Sequence, residues 1–282
     1  MIDTLQNEDS DNANGPVIEV EDLVMYYGNR KILKNVSMEV RNGEIMVIMG
    51  GSGSGKSTLL RQLMVLERPH SGSIKILDQD VGSMSARELF DLRKKLGVAF
   101  QGGALFSSMS VGENIMLPLH EHTELDPATM QIMARMKLEM VNLAGFEDLK
   151  PSELSGGMIK RAAVARAIVM DPRILYMDEP SAGLDPVVSS SLDDLILLLR
   201  DAMGMTIVVV THELESTFKI ADRVTVLDQG EILFIGTVDE LKSHPSERIQ
   251  SLLNRRADDE MLDPDAYLKR LTGEDVNGDA TL

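Results

Sequence analysis

The run Gly50-Gly51-Ser52-Gly53-Ser54-Gly55-Lys56-Ser57 leaves this chain few folds to choose from. The five apolar residues Ile45 to Met49 before it suit a buried strand, and apolar residues resume at Leu59-Leu60 in what reads as a helix opening after Gly55. Strand, glycine-rich loop, Lys-Ser and helix together fit the P-loop pattern, a cradle for a triphosphate. The glycines let successive backbone N–H groups turn inward around phosphates, and the helix start adds its positive dipole end. Lys56 reaches the outer phosphates and the Ser57 hydroxyl ligates Mg²⁺. A flexible turn would account for the glycines but not for the four features in this order. The nucleotide-binding candidates are Gly50, Gly51, Ser52, Gly53, Ser54, Gly55, Lys56, Ser57 and Thr58.

Composition limits what else the chain does. At 282 residues and 43% hydrophobic content it can bury a substantial core, as one large domain or two lobes. A net charge of -17 argues against a nucleic-acid surface and against direct adhesion to anionic lipid, both of which need clustered Lys and Arg. Any membrane role then runs through a protein partner. No apolar run approaches the ~18 residues that span a bilayer, and the first residues lack the basic start and apolar core of a signal peptide. The expected location is the cytoplasm. Zero cysteines exclude disulfides and thiolate chemistry.

Met1 to Pro16 is polar and acidic and is expected to be disordered. Strands are predicted over Val17 to Tyr27 and Val36 to Val40, separated by the turn Gly28-Asn29-Arg30. Tyr27, in a chain with 4% aromatics, either stacks on a nucleotide base or packs at a strand edge. Ser71 to Asp78 reads as a strand, Ser85 to Lys95 as a helix capped by Ser85, and Leu96 to Phe100 as a buried strand. Gln101 ends that strand, where its amide oxygen serves a metal or a water, or is an ordinary loop group. Gly102 to Leu119 reads as an unusually apolar loop. Asp126 to Leu143 reads as a helix with Pro127 in its first turn, and its methionines suit the core of a helical lobe or a partner surface.

Ser155, Gly156 and Gly157, at the start of a helix running to about Met170, form a second anion site by the same backbone logic. Ile174 to Met177 is an apolar strand ending in Asp178-Glu179-Pro180. Two carboxylates at a strand end divide the labour: Asp178 holds Mg²⁺ and Glu179 polarises the attacking water. Asp185-Pro186 starts a helix to about Met203, and Thr206 to Thr211 is a buried strand with His212 just past its end, where open α/β sheets place their ligands. Arg223 to Asp228 and Glu231 to Ile235 are strands joined by a Gln229-Gly230 hairpin. Two short apolar stripes follow, Ile249, Leu252 and Leu253, then Tyr267, Leu268 and Leu271. The second either packs on its own subunit or tethers another.

The ordered set Tyr27, GGSGSGKST, Gln101, LSGGM, ILYMDEP, SAGLD and His212 resembles the ATP-binding subunit of ABC transporters, over Val17 to about His244. The resemblance implies an α/β fold: a P-loop NTPase core with an antiparallel β subdomain, an inserted α-helical subdomain at about 102–170, and a C-terminal extension over 245–282. It implies ATP and Mg²⁺ as cofactors, with Tyr27 against the base and Lys56 and the P-loop on the phosphates. Ser57, Gln101 and Asp178 would lie at the metal, Glu179 would be the catalytic group at the attacking water, and His212 would be the switch histidine, placed to contact the terminal phosphate. Met158 departs from the Gln usual at the fifth signature position, which leaves the backbone and Ser155 contacts intact. FQGGALFSSMSVGENIMLPL and LSGGM look like the ATPases of Mla/MCE phospholipid-transport systems. That similarity implies a homodimer on the cytoplasmic face of a bacterial inner membrane, beneath a MlaE-type permease pair. It also implies an MCE-domain protein, a STAS-domain protein in some systems, and no nucleic acid. In the implied mechanism the P-loop of one subunit and Ser155-Gly156-Gly157 of the other sandwich ATP, and hydrolysis reopens the pair. Two alternatives stay open: another cargo (amino acid, peptide, metal complex), or a soluble ABC ATPase of translation or DNA repair. The latter usually carries a second cassette or a coiled coil, and neither is seen here.

Overall fold

The computed structural model describes residues 15–254. The chain divides into one unit ending at Leu241 and a second beginning at Lys242. In the first, β1 (Pro16–Tyr27) and β2 (Arg30–Arg41) form a long antiparallel hairpin, closed by Gly28-Asn29 alone because Arg30 already pairs with Tyr27. There follow β3 (Ile45–Met49), α1 (Lys56–Leu63), β4 (Ser71–Ile76), β5 (Gln79–Asp80), α2 (Ala86–Arg93) and β6 (Leu96–Ala99). A run of helices comes next: α3 (Val111–His122), α4 (Pro127–Met140), a 3₁₀ turn at Pro151–Glu153 and α5 (Gly156–Ala167). Then β7 (Ile174–Asp178), α6 (Pro186–Met203), β8 (Thr206–Val210), α7 (Leu214–Ile220), β9 (Arg223–Asp228), β10 (Glu231–Gly236) and α8 (Val238–Lys242) complete the element order of that unit. In the second unit α9 (Glu247–Leu253) is held at its start by the Gln250 amide, which donates to the carbonyls of Lys242 and His244.

Two sheets carry the first unit. One is antiparallel, in the order β2-β1-β4-β5; the other runs β10-β9-β3-β8-β7-β6. In the second sheet β9, β3, β8, β7 and β6 are parallel, and β10 joins through the Gln229-Gly230 hairpin. Strands buried on both faces should be apolar throughout, as parallel strands covered by other layers are. Ile45 and Val47, Leu175 and Met177, Ile207 and Val209 face one core, with α3 to α6. Met46 and Ile48, Ile174 and Tyr176, Val208 and Val210 face the other, with α1, α2 and the antiparallel sheet. Period-two alternation thus sorts each strand between two cores.

Three sequence expectations need correction. The segment Gly102 to Leu119 is not a loop throughout, because α3 begins at Val111. Ser110 caps it: its hydroxyl accepts from Glu113 N–H, and the Glu113 carboxylate accepts from Ser110 N–H. Val111, Ile115 and Leu119, one helical turn apart, are its buried stripe. β6 is the edge strand, so Leu96 and Val98 are only half-buried. Met136 on α4 is exposed, while Met130 is buried and Met133 and Met140 pack on the second core. The cap read from sequence at Ser85 holds, and Asp126, Ser155 and Asp185, read as helix starts, also accept N–H groups of the helices they begin. Tyr267, Leu268 and Leu271, the expected extension over 245–282 beyond Asn254, and the polar N-terminus before Gly15 lie outside the described residues.

Candidate nucleotide site

The P-loop leaves β3 at Gly50, whose φ of 155° belongs to the region favoured by glycine, and a Cβ there would lie 2.0 Å from the Leu227 carbonyl oxygen. No other residue fits that position. Ser54 is buried, its N–H donates to the Gly51 carbonyl, and its hydroxyl has no hydrogen-bond partner among the described residues. Lys56 folds back over the loop and donates to the carbonyls of Gly50 (2.8 Å) and Gly51 (2.9 Å). Burial pulls its ammonium pKa down, against the attraction of Glu179 and then Asp178. Ser57 is exposed at the start of α1 and Thr58 is buried behind it. The cavity over this loop, about 240 Å³, is lined by Gly53 to Thr58 and by Tyr27, Arg30 and Ile32.

Tyr27 is exposed at the rim of that cavity, so it is not a packed edge-strand residue. Its hydroxyl donates to Glu67 Oε2 (2.8 Å), and Arg61 holds Glu67 Oε1 at 3.0 Å. The ring therefore stands at a fixed place beside the loop. Sequence reading missed Glu67 and Arg61, since nothing in the linear chain links them to Tyr27.

The parallel sheet brings the other chemistry to the same edge, because β3, β7 and β8 are adjacent and run the same way. Asp178 closes β7, and Glu179 takes a left-handed backbone (φ 45°), a conformation that costs a non-glycine residue about 1–3 kcal/mol. Its N–H donates to the Val210 carbonyl at 2.8 Å, tying it to β8. Its carboxylate accepts from the Thr211 hydroxyl (3.1 Å) and meets His212 Nδ1 at 2.9 Å. His212 Nε2 lies 3.3 Å from Glu213 Oε1, so the imidazole is held between two carboxylates. Thr211 and Glu213 escaped the sequence reading; the signal for Thr211 was a hydroxyl ending an otherwise apolar strand directly before His212.

Burial is the main cause that raises the Asp178 pKa, with Glu179 adding to it and Lys56 and Lys160 opposing. A carboxyl whose folded pKa is raised favours the fold only below its unfolded pKa, and that contribution is lost as pH rises through the folded value. At neutral pH the Asp178 charge is a cost to the fold. Asp178→Asn is therefore expected to melt at a higher temperature than the wild type without nucleotide at pH 7. The gap should close as pH falls toward 3.8, the ordinary aspartate value. Differential scanning calorimetry across that range checks it, and a lower melting temperature for the variant at pH 7 would contradict it.

Ser155, Gly156 and Gly157 do not line the P-loop cavity. They open α5 against the start of α6, where a Cβ on Gly157 would lie 2.6 Å from Val188. Ser155 Oγ accepts from Met158 N–H. Gln101 is exposed and is likewise outside the cavity. One chain thus gathers the phosphate loop, Tyr27 and Lys56 around the cavity, sets Asp178 and Glu179 close enough to act on the Lys56 charge with His212 on Glu179, and keeps the second anion site out of the cavity lining. The set suits a magnesium–triphosphate: a loop closed to side chains at Gly50, an orphan hydroxyl, an ammonium, an exposed serine and a carboxylate.

Residues 33–182 match the family model described as ABC transporter. The chain belongs to the ABC transporter family. It is an ABC-type ATPase, with ATP and Mg²⁺ as its cofactors, and the α/β cassette fold read from sequence is the one observed. The chain is 39% identical, over 87% of its length and 93% of the relative's, to the intermembrane phospholipid transport system ATP-binding protein MlaF of Haemophilus influenzae. It is 38% identical, over 86% of its length and 70% of the relative's, to the probable ribonucleotide transport ATP-binding protein mkl of Mycobacterium leprae. Among solved structures, a dimeric ATP-binding cassette in a post-hydrolysis state with ADP and Pi superimposes with a TM-score of 0.72. That cassette is 30% identical and covers 78% of this chain and 98% of its own.

Proposed function

We propose that this ABC cassette hydrolyses ATP to drive phospholipid transport between bacterial membranes, as a homodimer under a MlaE-like permease on the cytoplasmic face of the inner membrane. The observation that carries the reading is likeness to MlaF across 93% of that relative, well beyond the ATP motifs that all cassettes share. An MCE-domain protein completes the proposed complex, and a STAS-domain protein joins it in some systems of this type.

Within the site, Glu179 takes the role of the group that polarises water, steadied by Thr211 and His212. Lys56 leaves the Gly50 and Gly51 carbonyls for the outer phosphates. Ser57, Asp178 and Gln101 would hold Mg²⁺, which would supply neutralisation of the phosphate charge. Tyr27, pinned through Glu67, offers its ring to the base. Ser155, Gly156 and Gly157, left out of the cavity of their own chain, serve the nucleotide of the second copy.

A groove of about 370 Å³ between the edge strand β6, α3 and α5 suits the permease. Phe100, Phe106, Leu117, Pro118 and Met170 give it apolar walls, and Phe106 is 54% exposed. Ala104 is also exposed and Met109 half-buried, whereas Leu105 turns into the second core. Exposed apolar side chains of this kind are what a protein partner's helix buries against, and among the described residues no helix is long and apolar enough to cross a membrane. Phe106→Asp is expected to lose most of the copurifying permease and its transport, while nucleotide affinity stays within about twofold. Permease recovered at wild-type levels would count against the groove.

The wider reading is tested by purifying the chain from its own membranes with whatever assembles on it, then following labelled phospholipid in reconstituted vesicles. ATP-dependent movement of the lipid supports it. The mkl likeness favours a second cargo, ribonucleotides, and ATP-driven uptake of those without lipid movement would replace the first reading.

A further inference from the structure

The side chain of Lys160, on the second turn of α5, reaches two places at once. Its ammonium donates to the carbonyl of Gln101 and to the carbonyl of Glu179, the latter at 3.1 Å. Gln101 is the first residue of the segment that leads into the groove, and Glu179 is the residue assigned to the attacking water. The Glu179 carbonyl also accepts from Ala182 N–H at 3.2 Å. With its N–H on β8 and its carbonyl between Ala182 and Lys160, Glu179 is held in a left-handed backbone that it would not adopt unaided.

The same helix grips the groove segment again two turns on. Arg166 donates to the carbonyls of Gly103 (2.8 Å) and Ala104 (2.7 Å). Between the two cations the segment lies flush on α5: a Cβ on Gly103 would sit 2.8 Å from Ile159. Residues 101–104 and α5 are thus fastened at three of the segment's four carbonyls, those of Gln101, Gly103 and Ala104. Neither cation is matched to a carboxylate at hydrogen-bond distance in these contacts. Burial lowers the pKa of both, against the attraction of Glu179 and Asp178 in the case of Lys160.

We infer that Lys160 is a positioning residue for Glu179, transmitting the placement of the Gln101 segment to the carboxylate that acts on water. This rests on the permease reading only for what moves the segment. A shift of Gln101 and Ala104, as a partner seats in the groove, drags or releases the Lys160 ammonium. The Glu179 carbonyl then loses or gains a charged donor, and its carboxylate turns relative to Thr211 and His212. A displacement of about 1 Å at a reacting group is enough for a rate change near 100-fold. Lys160 does not line the cavity over the phosphate loop, so its loss should fall on kcat more than on nucleotide affinity.

The experiment uses the full chain, alone and in its membrane complex, with MgATP as the probe. Lys160→Met keeps length and removes both bonds. It should lower kcat at least about tenfold, with KM and nucleotide affinity within twofold, and Lys160→Arg should restore kcat to within about threefold of wild type. Lys160→Gln, which keeps a donor, gives an intermediate kcat and stands in if the methionine variant fails to fold. Wild-type kcat in the Met or Gln variant overturns the inference; so does a raised KM at unchanged kcat, which would make Lys160 a nucleotide ligand. The two readings fail separately. If the permease reading is wrong, Lys160→Met still lowers kcat in the isolated chain while Phe106→Asp changes nothing in the complex. If Lys160 does not position Glu179, the isolated chain is unaffected while Phe106→Asp still strips the permease.

Discussion

Replacing Glu179 by glutamine is expected to cut ATP turnover by at least about 100-fold, while the protein still binds ATP and accumulates as a closed dimer. The amide keeps the size of the carboxylate and can still accept from the Thr211 hydroxyl, so the local fold survives. What disappears is the negative charge that orients and polarises a water, an effect of 10²–10⁴-fold for a positioned base, or about 3–5 kcal/mol of barrier. Binding is spared because the donors on the P-loop side, Lys56 and the loop N–H groups, are untouched. Glu179 also attracts Lys56 more strongly than Asp178 does, so its neutralisation loosens that hold on the ammonium. Steady-state hydrolysis and size-exclusion chromatography with ATP measure the two halves. Near-normal turnover would remove Glu179 from the mechanism.

Lys56→Ala should have the opposite signature, failing at binding. A charge-assisted hydrogen bond contributes about 1.5–3 kcal/mol, which corresponds to roughly 10- to 100-fold in ATP affinity. A second loss comes from the protein itself. Without nucleotide the ammonium spans the carbonyls of Gly50 and Gly51, and its removal leaves the loop without that brace. It also leaves Asp178 and Glu179 facing each other without their main cation, which raises the Asp178 pKa further. Isothermal titration with MgATP checks the affinity, and a dissociation constant within twofold of wild type would contradict the assignment. Comparing the variants distinguishes the roles: one loses the rate and keeps the ligand, the other loses the ligand.

The parts of this site that sequence revealed are those whose chemistry is written in consecutive residues. The phosphate loop is contiguous, so Gly50 to Ser57 could be read outright. Helix starts were legible for the same reason, since a cap and its target N–H lie within three residues, as at Asp126 and Asp185. α3 was hidden by Gly112 and Pro118, which read as loop chemistry. Its capping box at Ser110 and Glu113 was visible in principle and outvoted by them. Groups that act across strands left no linear trace. Thr211 meets Glu179 only because β7 and β8 pair with Asp178 opposite Val210, and that register is a property of the sheet. Tyr27 and Glu67 are 40 residues apart. Lys160 binds backbone carbonyls, which every residue carries, so its targets are invisible without coordinates.

The cap on α5 has an effect that reaches past its own helix. A hydroxyl offers two lone pairs and one proton. Ser155 uses its oxygen to receive the Met158 N–H, and the proton is left over. The rotamer is therefore already chosen before any anion arrives, and accepting one hydrogen bond polarises the hydroxyl toward giving another. Were a second copy to present its phosphate there, as proposed, Ser155 would have only its O–H rotor to orient and no existing bond to surrender. On that reading the helix terminus would work as a loaded donor, and the encounter between subunits would spend little of its free energy on arranging the side chain that receives it.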